Sequence, residues 1–295
     1  MAYTTEGAKA GASPEDLKME IEGVAKKAAM EAGRLIVAAS GKAQNVETKG
    51  VRSDLVTEVD KACEDLIKQR VQESFPDHSI LGEETSTSEE LERLDATLAD
   101  SDWTWIVDPI DGTLNFVGGL PLSVVSIGVA KANRVEVGVV FNPYSGELFT
   151  ARRGEGAFLN GERISVLPPE TELEDGAVSV GFPSKRPVRE RMLRGVSAVA
   201  PHARTVRALG TAALHMSYVA AGKLACFFEL NLKPWDVAAA WLIVEEAGGR
   251  VTDMAGKPMR LRAGPILASC GGQLHERVLS LLREAECTGE ESDLR

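Results

Sequence analysis

The stretch Trp105-Ile106-Val107-Asp108-Pro109-Ile110-Asp111-Gly112-Thr113-Leu114-Asn115-Phe116 constrains this chain more than any other. Three apolar residues running into a carboxylate predict a buried strand that delivers Asp108 at its end. Proline has no amide hydrogen for a sheet ladder, so the strand is expected to stop at Pro109. Asp111-Gly112-Thr113 then reads as a tight turn in which Gly112 lets the backbone approach a bound group. Two carboxylates across that turn can face one small space, where they repel unless a proton or a cation lies between them. Oxygen donors with no His or Cys nearby suit Mg²⁺, Mn²⁺ or Ca²⁺ and not Zn²⁺. Taken alone, the pair also fits ordinary turn acids, so other segments have to decide.

Composition narrows the classes. At 295 residues the chain has room for one large domain or two modest ones. Its net charge of -11, from 44 acidic and 33 basic residues, argues against broad binding to nucleic acid or to an anionic membrane. Cys63, Cys226, Cys270 and Cys287 show no metal-finger spacing and read as reduced, buried thiols of a cytosol-like compartment. No apolar run approaches the ~18 residues of a membrane span, and the first residues lack the apolar core of a signal peptide.

Several segments carry acids to positions where chemistry is possible. Ser13-Pro14-Glu15-Asp16 predicts a capped helix running to about Gly41. A loop containing Lys49 leads into a helix over 57–74, with Asp60 in its first turn, where capping alone would explain it. Residues 78–81 read as a short strand whose tip is Gly82-Glu83-Glu84, followed by an acidic surface helix over 85–102. Strands over 122–130, 135–141 and 148–151 imply an antiparallel sheet, and their alternation with long helices implies layered α and β. Beyond a weak boundary at Pro168-Pro169 come a strand over 178–180, a helix over 187–198 and a strand over 205–208. Gly210-Thr211-Ala212-Ala213 opens a further helix with free amide donors for an anion or a hydroxyl, or simply caps it. Glu229 sits inside an apolar strand over 224–230, where a charge must be paired or face a cavity. Asp236 follows in the first turn of the last of these helices. The four histidines fall in no Ser/His/Asp spacing, and His215 reads as packing.

Gly82-Glu83-Glu84, the stretch from Trp105 to Phe116, and Trp235-Asp236-Val237-Ala238-Ala239 together resemble the signature of the inositol monophosphatase family, over about residues 15–285. The resemblance implies a layered α-β-α-β-α sandwich. It places one catalytic domain at 14–287, with sub-halves at 14–167 and 168–287, between flexible ends at 1–13 and 288–295. It also implies a Mg²⁺-dependent phosphomonoesterase, usually a homodimer, that is inhibited by lithium and works through metal-activated water. Carried over by position, Glu83, Asp108 and the Ile110 carbonyl would hold a first Mg²⁺. Asp108, Asp111 and Asp236 would hold a second, and Glu83 a third, mostly with water; Mn²⁺ could substitute. Thr113 and Asp60 match the pair that orients the attacking water, with Glu83 counted among the catalytic groups. Ile110, Asp111, Gly112 and Thr113 would lie along the phosphate, and Lys49 matches a loop lysine near it. Glu229 matches an acid that contacts a sugar or inositol hydroxyl. Gly210, Thr211, Ala212 and Asp236 match the segments beside the substrate.

The run from Glu229 to Asp236 resembles the plant-plastid and bacterial branch of that family. Myo-inositol 1-phosphate is therefore the expected substrate. The expected compartment is the cytoplasm, or the plastid stroma if a transit peptide has been trimmed. The same fold carries histidinol-phosphate phosphatases, fructose-1,6-bisphosphatases and 3',5'-bisphosphate nucleotidases. The last need space for a second phosphate, and the sequence shows no added basic cluster near Asp236. A non-catalytic paralogue that only binds phosphometabolites would lack a ligand, whereas Glu83, Asp108, Asp111, Asp236 and Thr113 are all present. Neither nucleic acid nor membrane is an expected partner.

Overall fold

The Ser13 side chain accepts a hydrogen bond from Asp16 N (3.1 Å), and the Asp16 carboxylate accepts one from Ser13 N (3.0 Å). With Pro14 next, this reciprocal cap starts α1 (Pro14–Ala39). Ser13, expected within the flexible N-terminus, is thus part of the folded body. The computed structural model describes residues 13–40, 47–48, 55–92, 98, 103–262 and 264–289, and Lys49 lies outside them. Strands β1 (Glu47–Thr48) and β2 (Leu55–Val56) form a short antiparallel pair ahead of α2 (Glu58–Ser74).

Ile21, Ala25, Ala28, Ala29, Ala32 and Ile36 form the buried stripe of α1. With α2, that stripe covers one face of a seven-stranded sheet. The sheet runs in chain order: β3 (Ser79–Gly82), β4 (Thr104–Asp111), β5 (Val124–Lys131), β6 (Arg134–Asn142), β7 (Glu147–Arg152), β8 (Gly156–Leu159) and β9 (Glu162–Ile164). Only the β3–β4 pair is parallel; the remainder is an antiparallel meander, as the β-branched runs imply. Both faces are covered, so β4 and β5 are buried almost from end to end.

The second sheet, in the order β11 (Thr205–Arg207), β10 (Ala177–Val180), β12 (Cys226–Leu232), β14 (Gly264–Ser269) and β13 (Arg250–Thr252), belongs to the later half of the chain. Helices α6 (Ala212–Ala220) and α7 (Pro234–Glu246) lie between the two sheets. Helices α5 (Arg186–Val199) and α8 (Gly272–Glu284) cover the outer face of the second sheet. The result is the layered α-β-α-β-α sandwich expected from the sequence. All four cysteines are free and buried. No described helix is long and apolar enough to cross a membrane.

Three local expectations need correction. Strand β4 does not stop at Pro109 but continues to Asp111, with a register shift against β5 between Asp108 and Asp111. A bulge tolerates the missing amide hydrogen, because the residue there is unpaired in any case. Of the surface helix expected over 85–102, the described residues show a turn, then the short α3 (Ser88–Glu92), and Leu98, which is helical but buried and not on the surface. Thr288 and Gly289, expected within a fraying tail, belong to the folded body. Thr288 is buried, and Gly289 packs close to Pro265 and Leu230.

Two histidines inside this sandwich make stability depend on pH. Burial holds His275 down at about 4 and His215 at about 3. Between pH 6.5 and those values, the unfolded chain binds protons that the folded chain refuses. Their contribution to stability is therefore full above about pH 6.5 and falls as the solution is acidified. At roughly 1.4 kcal/mol per pH unit for each ring, the two together should remove about 4 kcal/mol between pH 7 and pH 5. The raised carboxyls of Asp111, Glu229 and Asp236 shift stability the opposite way, so the check is urea unfolding of His275→Gln beside the unaltered chain. Between pH 7 and pH 5 the unaltered chain should lose about 2 kcal/mol relative to the variant, and equal changes in both would contradict it.

Candidate active site

The bulge in β4 is what aims the two central acids. Asp108 is buried, and its Oδ1 accepts from Ile110 N (3.0 Å) across the irregularity. The turn that follows needs glycine: Gly112 has φ +97°, and a Cβ there would lie 3.2 Å from the Gly210 carbonyl. Helix α4 (Thr113–Val117) starts at once, so the Thr113 hydroxyl falls within reach of both the Ile110 carbonyl (3.2 Å) and Asp60 Oδ1 (3.3 Å). Asp60 is buried in the first turn of α2. Its other carboxylate oxygen accepts from Thr57 N (2.8 Å) and from the Thr57 hydroxyl. Capping and the contact with Thr113 therefore use different oxygens of the same side chain.

Asp111 points the other way, toward the second half of the chain. Its Oδ2 accepts from the Thr211 hydroxyl (2.6 Å) and from Ala213 N (2.7 Å) at the start of α6. The donors expected to be free at Gly210-Thr211-Ala212-Ala213 are thus already spent on a protein carboxylate, since a helix N-terminus takes whichever anion is nearest. Gly210 itself sits against Asn115, whose Nδ2 donates to the Leu209 carbonyl (2.6 Å). His215 helps hold the same loop, accepting from Leu209 N at Nε2 (2.9 Å).

Asp236 arrives on the first turn of α7, where its Oδ2 accepts from Lys233 N (2.7 Å). Ser126 of β5 donates to the Trp235 carbonyl (3.2 Å) and ties that helix start to the strand beside Asp108. Glu83 follows the tip of β3, its amide bonded to the Val107 carbonyl (3.1 Å). Glu83, Glu229, Asp236, Phe182, Lys185 and Lys233 share the walls of a cavity of about 670 Å³.

The electrostatics of this cluster are those of crowded acids. Removal from water pushes Asp111 up to about 6, with the Glu83 charge adding to it against the Thr211 and Ala213 hydrogen bonds. Burial, then Glu83 and Asp111, hold Asp236 well above the usual carboxylate range. Burial and Asp111 push Glu229 up to about 8. Asp236 and Glu229 keep some exposed surface because they line the cavity, yet its walls strip most of the water from them. A bound cation would reverse these shifts.

The acids surround one space, but among the described residues no three of them close on a point at coordination distance. Carboxylates repel, and one oxygen of Asp108, of Asp111 and of Asp236 is turned to a backbone or hydroxyl donor. The donor set is carboxylate and carbonyl oxygen, which fits a hard divalent cation such as Mg²⁺.

Comparison with known proteins gives the family of the chain. The profile of the inositol monophosphatase family matches residues 17–286. The chain belongs to that family. Among relatives of the family, inositol monophosphatase 2 of Solanum lycopersicum is 42% identical over 272 residues, covering 90% of this chain and 99% of the relative. The Nus factor SuhB of Haemophilus influenzae is 41% identical over 271 residues, covering 91% and 97%. An IMPase of Thermotoga maritima has the same fold with a TM-score of 0.81 and 34% identity, over 90% of this chain and 98% of that one.

Tertiary structure adds residues that no local pattern marks. Ser126, Asn115 and His215 hold the backbone segments that carry the acids. Lys185, more than forty residues before Lys233, lines the same cavity. The missing basic neighbours of Asp236 are thus supplied from a distant segment.

Proposed function

We propose that this chain is a Mg²⁺-dependent phosphomonoesterase that converts myo-inositol 1-phosphate to inositol and phosphate. The observation that carries the reading is the electrostatic coupling of the acids Glu83, Asp111 and Asp236, beside the hydrogen bond to Asp60 from Thr113, two residues after Asp111. Bound Mg²⁺ would neutralise the substrate phosphate and supply an activated water at neutral pH. Glu83, Asp108, the Ile110 carbonyl, Asp111 and Asp236 are the groups proposed to hold it. Thr113, its hydroxyl shared with Asp60, is placed to accept and orient a water facing the phosphate. The Gly112 and Thr113 amides lie at the start of α4, where an anionic oxygen is stabilised. Glu229 faces the cavity as the acceptor or donor for a substrate hydroxyl. Homodimerisation and a cytoplasmic location belong to the same reading and rest on the family alone.

One observation favours a second substrate class. Lys185 and Lys233 stand on the cavity wall with Glu229, where they could receive a second phosphate. Phosphate release from inositol 1-phosphate, histidinol phosphate, fructose 1,6-bisphosphate and adenosine 3',5'-bisphosphate separates the two. Inositol 1-phosphate should be turned over fastest, with the rate abolished by EDTA and reduced by LiCl. A tenfold preference for either bisphosphate would move the reading to the second class, and release that persists in EDTA would refute metal dependence.

A further inference from the structure

Glu64 is a buried carboxylate one helical turn after Asp60, on the same face of α2. Its Oε2 accepts from Glu84 N (2.8 Å), and its Oε1 accepts from the Thr85 hydroxyl (2.6 Å) and pairs with Lys68 Nζ (2.8 Å). Lys68 also donates to the Thr85 hydroxyl, closing a triangle around one oxygen. All these partners except Lys68 lie in the turn that begins at Gly82, which the Ser86 amide closes on the Gly82 carbonyl (3.1 Å). Gly82 has no side chain where a Cβ would overlap the Glu64 carboxylate. The residue inside this turn is Glu83, and its own amide is fixed from the opposite side by Val107. The turn is therefore held from both flanks, by β4 and by α2.

We propose that Glu64, with Lys68 and Thr85, is a positioning residue for the Glu83 carboxylate and that it sets the cation affinity of the site. The proposal rests on the metal-dependent reading above. A single face of α2 would then serve the reaction twice, orienting Thr113 through Asp60 and holding Glu83 through Glu64. Carboxylates that hold metals keep their aim through such outer hydrogen bonds, and loss of one typically weakens metal binding about 10- to 100-fold.

Mn²⁺ titration of the full chain followed by electron paramagnetic resonance reads the effect without turnover. Glu64→Ala should weaken Mn²⁺ binding by roughly tenfold or more. Glu64→Gln, which still accepts from Glu84 N, should weaken it less. Thr85→Val, at an exposed position, removes only the hydroxyl link and should also weaken it. The Mg²⁺ concentration for half-maximal phosphate release should rise by the same factor in each variant, with a smaller change at saturating Mg²⁺. Unchanged Mn²⁺ affinity in folded Glu64→Ala would overturn the proposal. If that variant does not fold, unchanged affinity in Thr85→Val overturns it instead. Wild-type chain that binds no Mn²⁺ would refute the metal-dependent reading itself, and this inference with it.

Discussion

Asp108→Asn should lower phosphate release by about three orders of magnitude while leaving the fold intact. The substitution keeps the shape of the side chain, and the amide oxygen can still accept from Ile110 N, so the bulge in β4 survives. What is lost is a negative charge from the one acid proposed to touch both of the central cations. Removing a single preorganised electrostatic group costs about 10²–10³ in rate, and a ligand shared by two ions lies at the upper end of that range. Stability should move the other way or not at all. In metal-free protein Asp108 is a buried carboxyl two residues before Ile110 and three before Asp111, so an amide there brings no charge to be buried without a cation. Initial rates at saturating Mg²⁺, beside thermal unfolding in EDTA, separate the two effects. Retained turnover would refute the assignment, and a large fall in unfolding temperature would show that Asp108 serves the fold instead.

Gly138→Ala should produce a large loss of stability from one methyl group. A Cβ at Gly138 would lie 2.5 Å from the Ala239 carbonyl oxygen, and backbone cannot step aside as a flexible side chain can. Overpacking of this kind costs about 1–3 kcal/mol, and contact with main chain puts it at the high end. Relaxation would lift α7 from β6, and α7 carries Asp236 in its first turn. The surviving folded protein should therefore also lose activity. Gly23→Ala makes the matched control. That glycine is helical with nothing within 4 Å of its added methyl, so the change should be neutral or stabilising by up to about 1 kcal/mol. Urea unfolding of the two variants tests the argument, and equal midpoints would overturn it.

Much of the site was legible because its acids sit at signals that are themselves local. Asp60 follows a capping threonine, Glu83 follows a short apolar strand, and Asp236 follows Pro234 at a helix start. Strand and helix identity followed from hydrophobic period, which burial on one or two faces enforces. Pro109 misled because the absence of an amide hydrogen reads as a strand end, whereas a bulge accommodates it within the strand. Gly210-Thr211-Ala212-Ala213 left capping and anion binding open for a related reason. A helix start advertises anion binding, but the sequence does not say which anion reaches it, and here Asp111 does.

The sequence by itself determined the elements, the chemical kind of the donors and the family. Those depend on residue type, order and spacing, which are written along the chain. Tertiary structure alone decided which oxygen of each acid is already engaged, which faces the shared space, and which distant residues hold it there. The Glu64 carboxylate beneath Gly82 and Ser126 on Trp235 are contacts between separate segments, and Lys185 and Lys233 line one cavity. They exist only because two sheets and three helical layers are stacked, and stacking depends on the complementary shape of whole surfaces, which no local spacing encodes.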